Sequence, residues 1–221
     1  MKFYHLFSAL ALAVWASGLQ AQPVSTSPWY VTAIVGAVNQ GGQTLDYRLN
    51  GATNQADASY SAGLLAGAAL GYQFGNGWRA EGEFTYQSTD IKGNPFAGAA
   101  GPVGNGNQAA TALALNLIGE FDLIGSPEVR TYAGLGLVYL TELDIDFEVS
   151  GQPERSFSGS GAGVQFLLGA RYDLGERWFV DAGARYLASN KIELDGESGA
   201  PGQVDARFRP WGLTVAVGWR F

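Results

Sequence analysis

The chain has 221 residues, 32 glycines and 13% aromatic residues beside only 15% charged ones, with a formal net charge of −7 and no cysteine. A soluble domain carries about a quarter charged residues, so much of this surface is expected to meet something apolar. The acidic balance argues against nucleic acid as a partner, and the lack of cysteine excludes disulfides and thiolate metal sites.

Residues 1–21 read as a signal peptide: Lys2 supplies the basic start, Leu6–Ala16 (LFSALALAVWA) the apolar run, and small residues place cleavage near Ala21. The run is too short to cross a bilayer. Residues 22–221 follow with no Pro- or Ser-rich linker, which predicts one domain.

The remainder shows period two. Eight segments do so, at about 29–38, 60–74, 78–88, 109–123, 129–147, 163–174, 178–194 and 208–221. In the last, Leu213, Val215, Val217, Trp219 and Phe221 alternate with Thr214, Ala216, Gly218 and Arg220. Tight turns at Gly75-Asn76-Gly77, 124–128 and Gly175-Glu176-Arg177 alternate with long polar connections at 39–59, 89–108, 148–162 and 195–207. The pattern predicts an all-β fold: an eight-stranded antiparallel up-and-down transmembrane barrel with short periplasmic turns and long extracellular loops.

A soluble secreted barrel also shows alternating strands, and the size of the residues on each face separates the two. Gly63, Gly67, Gly71, Gly134, Gly136, Gly169, Gly183 and Gly218 share one parity with scattered charges, whereas the bulky apolar residues share the other. Only the glycine-and-charge face fits inside a narrow barrel, so the bulky face is expected to meet lipid. Residues 60–72 carry a double GxxxG, but thirteen residues make a helix of only about 20 Å, short of the roughly 30 Å hydrocarbon core. Strand parity puts Tyr60, Leu64, Leu70 and Tyr72 on the lipid face.

Aromatic residues are expected in two interfacial belts: Trp29, Trp78, Trp178, Trp219 and Phe221 at the short-turn end, and Tyr60, Tyr86, Phe147, Tyr186 and Trp211 at the long-loop end. Residues 72–86 and 172–186 align without a gap at an offset of 100, matching Tyr72/Tyr172, Gly75/Gly175, Trp78/Trp178, Glu81/Asp181 and Tyr86/Tyr186. In an eight-stranded ring these two hairpins lie opposite one another.

On these features residues 22–221 resemble the small eight-stranded outer-membrane β-barrels, the group of opacity proteins, outer membrane protein X and the transmembrane part of outer membrane protein A. The most specific element is Val217-Gly218-Trp219-Arg220-Phe221, similar to the Phe-terminated signal such proteins present to the barrel assembly machinery, with Trp219 and Phe221 as its aromatic positions. The resemblance implies a bacterial outer-membrane location, a lipid and lipopolysaccharide environment and a monomeric chain.

His5 is the only histidine and is lost with the signal peptide, so the histidine-dependent barrel enzymes have no counterpart here and no catalytic residue, cofactor or metal site is expected. The inward parity carries Arg79, Glu81, Glu83, Glu120, Arg130, Arg171, Asp173, Asp181, Arg185 and Arg220. In so narrow a lumen these charges must pair, with Glu81, Glu120, Arg171 and Asp181 expected at the centre of the network. The fifth segment continues as Glu142 to Val149 in strict alternation and should protrude, its acidic comb being Glu142, Asp144, Asp146 and Glu148. Two functions follow for a non-enzymatic barrel, the first the main reading and the second its alternative. One is a structural or surface-interaction barrel whose loops contact a host or surface ligand. The other is a small-solute or hydrophobic-compound channel resembling the outer membrane protein W group, which apolar inner positions Ile34, Leu65, Val138, Leu140 and Leu167 support.

Overall fold

The computed structural model describes residues 27–49, 52–92, 103–126, 128–149, 155–197 and 200–221; the expected signal peptide lies outside them. Twelve strands account for its regular structure: β1 (Trp29–Gln40), β2 (Gln43–Leu49), β3 (Ala52–Tyr60), β4 (Ala62–Gln73), β5 (Trp78–Lys92), β6 (Val103–Phe121), β7 (Val129–Val149), β8 (Arg155–Asp173), β9 (Trp178–Ser189), β10 (Lys191–Gly196), β11 (Gln203–Arg207) and β12 (Pro210–Arg220).

Eight of them close a ring. β1 pairs with β4, β4 with β5, β5 with β6, β6 with β7, β7 with β8, β8 with β9, β9 with β12 and β12 with β1, all antiparallel. Closure satisfies every ladder within the wall, which a hydrocarbon environment demands. The ring turns tightly at one end, where Gly75 and Gly77 adopt φ of 77° and 81°, conformations that cost an L-residue a Cβ clash. Bulky residues face outward: Leu64, Leu115, Leu137 and Leu168 are each more than 60% exposed, in a girdle that suits lipid.

A second ring stands on the first. β5, β6, β7 and β8 run on past the membrane level, and the hairpins β2–β3 and β10–β11 complete the wall between them, β3 pairing with β5, β2 with β11 and β10 with β8. Residues 39–59 and 195–207, expected as polar loops, are therefore largely wall. The reason lies in backbone satisfaction: the long strands leave their upper edges unpaired, and the hairpins cover them.

The two rings have opposite polarity. Below, apolar side chains point out; above, Leu45, Tyr47, Ile145, Phe157, Leu194 and Val204 point in and are buried, while Glu193, Asp195 and Asp57 point out. In the strands that carry Leu45, Tyr60, Leu194 and Ile145 the apolar positions nevertheless keep one parity along the sequence, so there the backbone must slip by a residue where water replaces lipid. It does so at Gly41-Gly42 between β1 and β2, at Ser61 between β3 and β4, at Asn190 between β9 and β10, and in β7 through a bulge between Leu140 and Leu143. The 178–194 segment is accordingly two strands, and the alternation of the fifth segment is interrupted. Tyr60, expected in the outer belt, is buried in the upper lumen for the same reason, with its hydroxyl accepting a bond from Gln43 Nε2 at 2.6 Å.

Candidate functional site

The lumen of the lower ring is filled by charge. Arg79 and Arg171, both 2% exposed in their side chains, lie among Glu81, Glu120 and Asp181. Arg79 Nε donates to Glu81 Oε1 at 3.1 Å, its Nη1 donates to Glu120 Oε1, and its Nη2 is 3.6 Å from Asp181 Oδ2. Arg171 reaches the same three carboxylates at 3.4–3.8 Å. One layer up, Arg185 forms a two-pronged bond to Glu83 at 2.8 and 3.1 Å. At the periplasmic mouth Arg220 binds Asp173 at 2.5 Å, and the half-exposed Arg130 lies 3.8 Å from both Glu120 and Asp173. Five arginines thus face five carboxylates, and the lumen charge cancels.

Three aromatic residues complete this cluster. Tyr30 donates to Glu81 at 2.5 Å and Tyr132 to Asp181 at 2.6 Å, while Arg171 stacks on Phe179 at 3.8 Å and Arg79 on Tyr132 at 4.5 Å. The two tyrosine–carboxylate pairs sit on strands opposite each other in the ring, as do Glu81 and Asp181 of the offset-100 match. Sequence reasoning passed over Tyr30, Tyr132 and Phe179, although their inward parity marked them. The glycines explain how such rings fit: a Cβ on Gly71 would overlap the Tyr30 ring, on Gly218 the Phe179 ring, and on Gly169 the Tyr132 hydroxyl.

Above the cluster lies a void of about 40 Å³ bordered by Ile34, Leu167 and Ala216, room for a water or two. Gln165 Nε2 donates to Asn116 Oδ1 at 2.6 Å beyond it. From there the interior is mostly apolar, with Val138, Leu140, Leu143, Ile145, Phe157 and Leu194 in one buried cluster and Gln87, Thr89 and Gln108 as buried polar residues on its β5–β6 side. Ile34 and Leu65 pack in a smaller cluster of their own.

Of the belt aromatics, Trp29, Trp78, Trp178 and Phe221 are exposed at the short-turn end, and Tyr86, Tyr186 and Trp211 near the opposite end of the lower ring. Trp219 stands edge-on to Phe221 at 4.9 Å. Of the acidic comb, Glu142 and Asp144 flank the β7 bulge on its outward side, opposite the buried Leu143. The side chains of Phe147 and Glu148 lie outside the described residues.

A family model for the outer membrane protein β-barrel domain matches residues 7–221. The chain belongs to this family. It is a bacterial outer-membrane protein. It is 27% identical over 177 residues to outer membrane protein W of Salmonella typhi, covering 72% of this chain and 81% of the relative. Among solved structures, the outer membrane protein OprG of Pseudomonas aeruginosa aligns with a TM-score of 0.61 at 20% identity over 89% of this chain and 97% of that one. The outer membrane protein AlkL aligns with a TM-score of 0.52 at 18% identity over 93% and 96%. At these identities the structures share the fold.

Proposed function

We propose that the protein is a non-enzymatic outer-membrane barrel that admits small apolar molecules into its upper lumen, with the ion-pair cluster as a floor beneath. The change of lumen chemistry along one axis carries this reading: a charge-neutral, hydrogen-bonded layer below and a buried apolar cluster above. A floor of paired charges repels hydrocarbon and leaves no free charge to conduct an ion. An apolar solute entering from outside gains by leaving water and meets a barrier before the periplasm, so its onward route is through the wall into lipid. Ala110, Ala112 and Ala114 on β6 leave small side chains on that side of the upper lumen, and the irregularity of the β6–β7 ladder between Thr111 and Ala112 gives the wall its weak point there.

Uptake of a medium-chain alkane into vesicles containing the purified protein tests the reading. Wild type is expected to exceed protein-free vesicles, and Ala112→Glu, which puts a charge among the apolar walls, is expected to return uptake to that baseline. Equal uptake by both proteins would reject it.

A second reading, a surface-interaction barrel acting through its extracellular loops, has the outward polar face of the upper ring in its favour. Deletion of the hairpin tips between β2 and β3 and between β5 and β6 without any change in adhesion or survival would remove it.

A further inference from the structure

The wall is interrupted beside the upper aromatic belt. The β1–β12 ladder ends at Gln40 opposite Pro210, and the β2–β11 ladder begins only at Asp46 opposite Asp205. Between them the backbone is bridged by a side chain, Gln43, whose Oε1 accepts from Arg207 N at 3.2 Å. The seam holds a cavity of about 390 Å³ whose charged lining is Lys191, Arg207, Arg209, Asp46 and Asp205.

We propose that this seam binds a phosphate group of an outer-leaflet glycolipid, held by Arg207 and Arg209 with Lys191 beside them and the Gln40 amide at the back. Four observations converge on it. Asp205 is neutralised by Lys191 and Arg48, which donate to it at 2.7 Å each, and Asp46, which accepts from the neutral Gln55 at 3.0 Å, is then the one unneutralised carboxylate of the lining against the guanidinium groups of Arg207 and Arg209. Arg207 and Arg209 have no carboxylate partner among the described residues, although the chain as a whole is acidic. Gln40 borders the cavity from the inward side of β1; it is 3% exposed, and neither its amide nitrogen nor its oxygen has a hydrogen-bond partner.

Position supplies the fourth observation. Trp211 and Tyr186 are register partners and both exposed, marking the lipid–water boundary on this side. Arg209 stands two residues above Trp211, and Lys191 pairs with Arg207 in the next layer, all three cations pointing outward. That places them at the depth of phosphorylated headgroups, with acyl chains below. Guanidinium groups match phosphate oxygens by paired N–H donors, and the cavity exceeds one phosphate, leaving room for part of the sugar that bears it. The exposed cations of its lining stand at the membrane boundary beside Trp211, which favours a lipid-borne phosphate over a free one.

The test uses the purified full barrel in detergent, titrated with bisphosphorylated lipid A and with the same lipid dephosphorylated, and read by tryptophan fluorescence. Wild type is expected to bind the phosphorylated form about tenfold more tightly. The double variant R207A/R209A is expected to lose that preference while keeping its thermal midpoint, and Gln40→Leu to weaken binding of the phosphorylated form several-fold. Arg177→Ala, at a periplasmic turn, is expected to change nothing; an equal loss there would show non-specific charge binding and overturn the proposal. Retention of the preference by R207A/R209A would also overturn it. So would competition by micromolar inorganic phosphate, which would make the ligand a free anion.

Discussion

Arg79 and Arg171 hold the lower lumen together because each lies within 3.8 Å of the same three largely buried carboxylates. Removing one partner of a buried ion pair leaves uncompensated charge and costs about 3–5 kcal/mol, whereas an exposed pair is worth roughly 0–1 kcal/mol. Arg79→Met is therefore expected to lower the unfolding free energy by about 3–5 kcal/mol in a urea titration in detergent. Arg130→Ala, whose side chain is 48% exposed, is expected to lower it by less than about 1 kcal/mol. Similar losses from the two would show that the cluster is wetter than its burial implies. The glycines belong to the same account, since they are absent side chains that make room for Tyr30, Tyr132 and Phe179 to bond and stack on the charges.

At the scale of the element, the β7 bulge has the clearest role. It lets one 21-residue strand serve lipid on one face below and a buried core on the other above. Deleting Thr141 and Glu142 together joins the inward Leu140 directly to Leu143, so that Leu143 and Ile145 turn outward and Asp144 and Asp146 inward. Hydrogen exchange is expected to show lost protection in the upper β7–β8 ladder and unchanged protection below Leu140; loss spread over both rings would refute the division. Asp144, beside the bulge, also gives the upper ring a pH response. Partial burial, then the neighbouring charges of Asp146, Glu197 and Glu142, push its carboxyl up to about 6. The folded form thus binds a proton more readily than the unfolded one. Stability of the upper ring is expected to rise as pH falls through about 6 towards the ordinary carboxylate range, and to be level above it. Asp144→Asn should flatten that rise in a pH series of protease-protection measurements.

At the scale of the molecule, the described residues form two stacked eight-stranded rings sharing β5, β6, β7 and β8, the lower ring inverted for lipid and the upper built like a soluble barrel. Its axial route is closed by charge below and by packed hydrocarbon above. Planar-bilayer recordings are expected to show no steady conductance from wild type, and intermittent, cation-favouring openings from Arg171→Ala, which leaves the carboxylates in excess. Steady, charge-dependent conductance from wild type would mean that the pairs exchange freely and that the cluster is a gate.

By itself the sequence determined the fold class, the outer-membrane destination and which charged residues have inward parity in the lower strands, because period-two alternation and residue size by face are local properties of each strand. Arg79, Glu81, Arg171 and Asp181 could be assigned inward from parity alone, and so could Gly71 and Gly169. Tyr60, Leu45, Ile145 and Leu194 could not be assigned. Their apolar parity continues that of the membrane strands without a break, yet they face the opposite way. Only the tertiary structure decided this, since a one-residue slip at Gly41-Gly42, Ser61, Asn190 or the β7 bulge leaves no mark on the hydrophobic repeat. The slip is imposed by the solvent on the outer face: where lipid gives way to water, apolar side chains gain by turning inward. The second ring, its apolar chamber and the seam beside Gln40 all follow from that reversal.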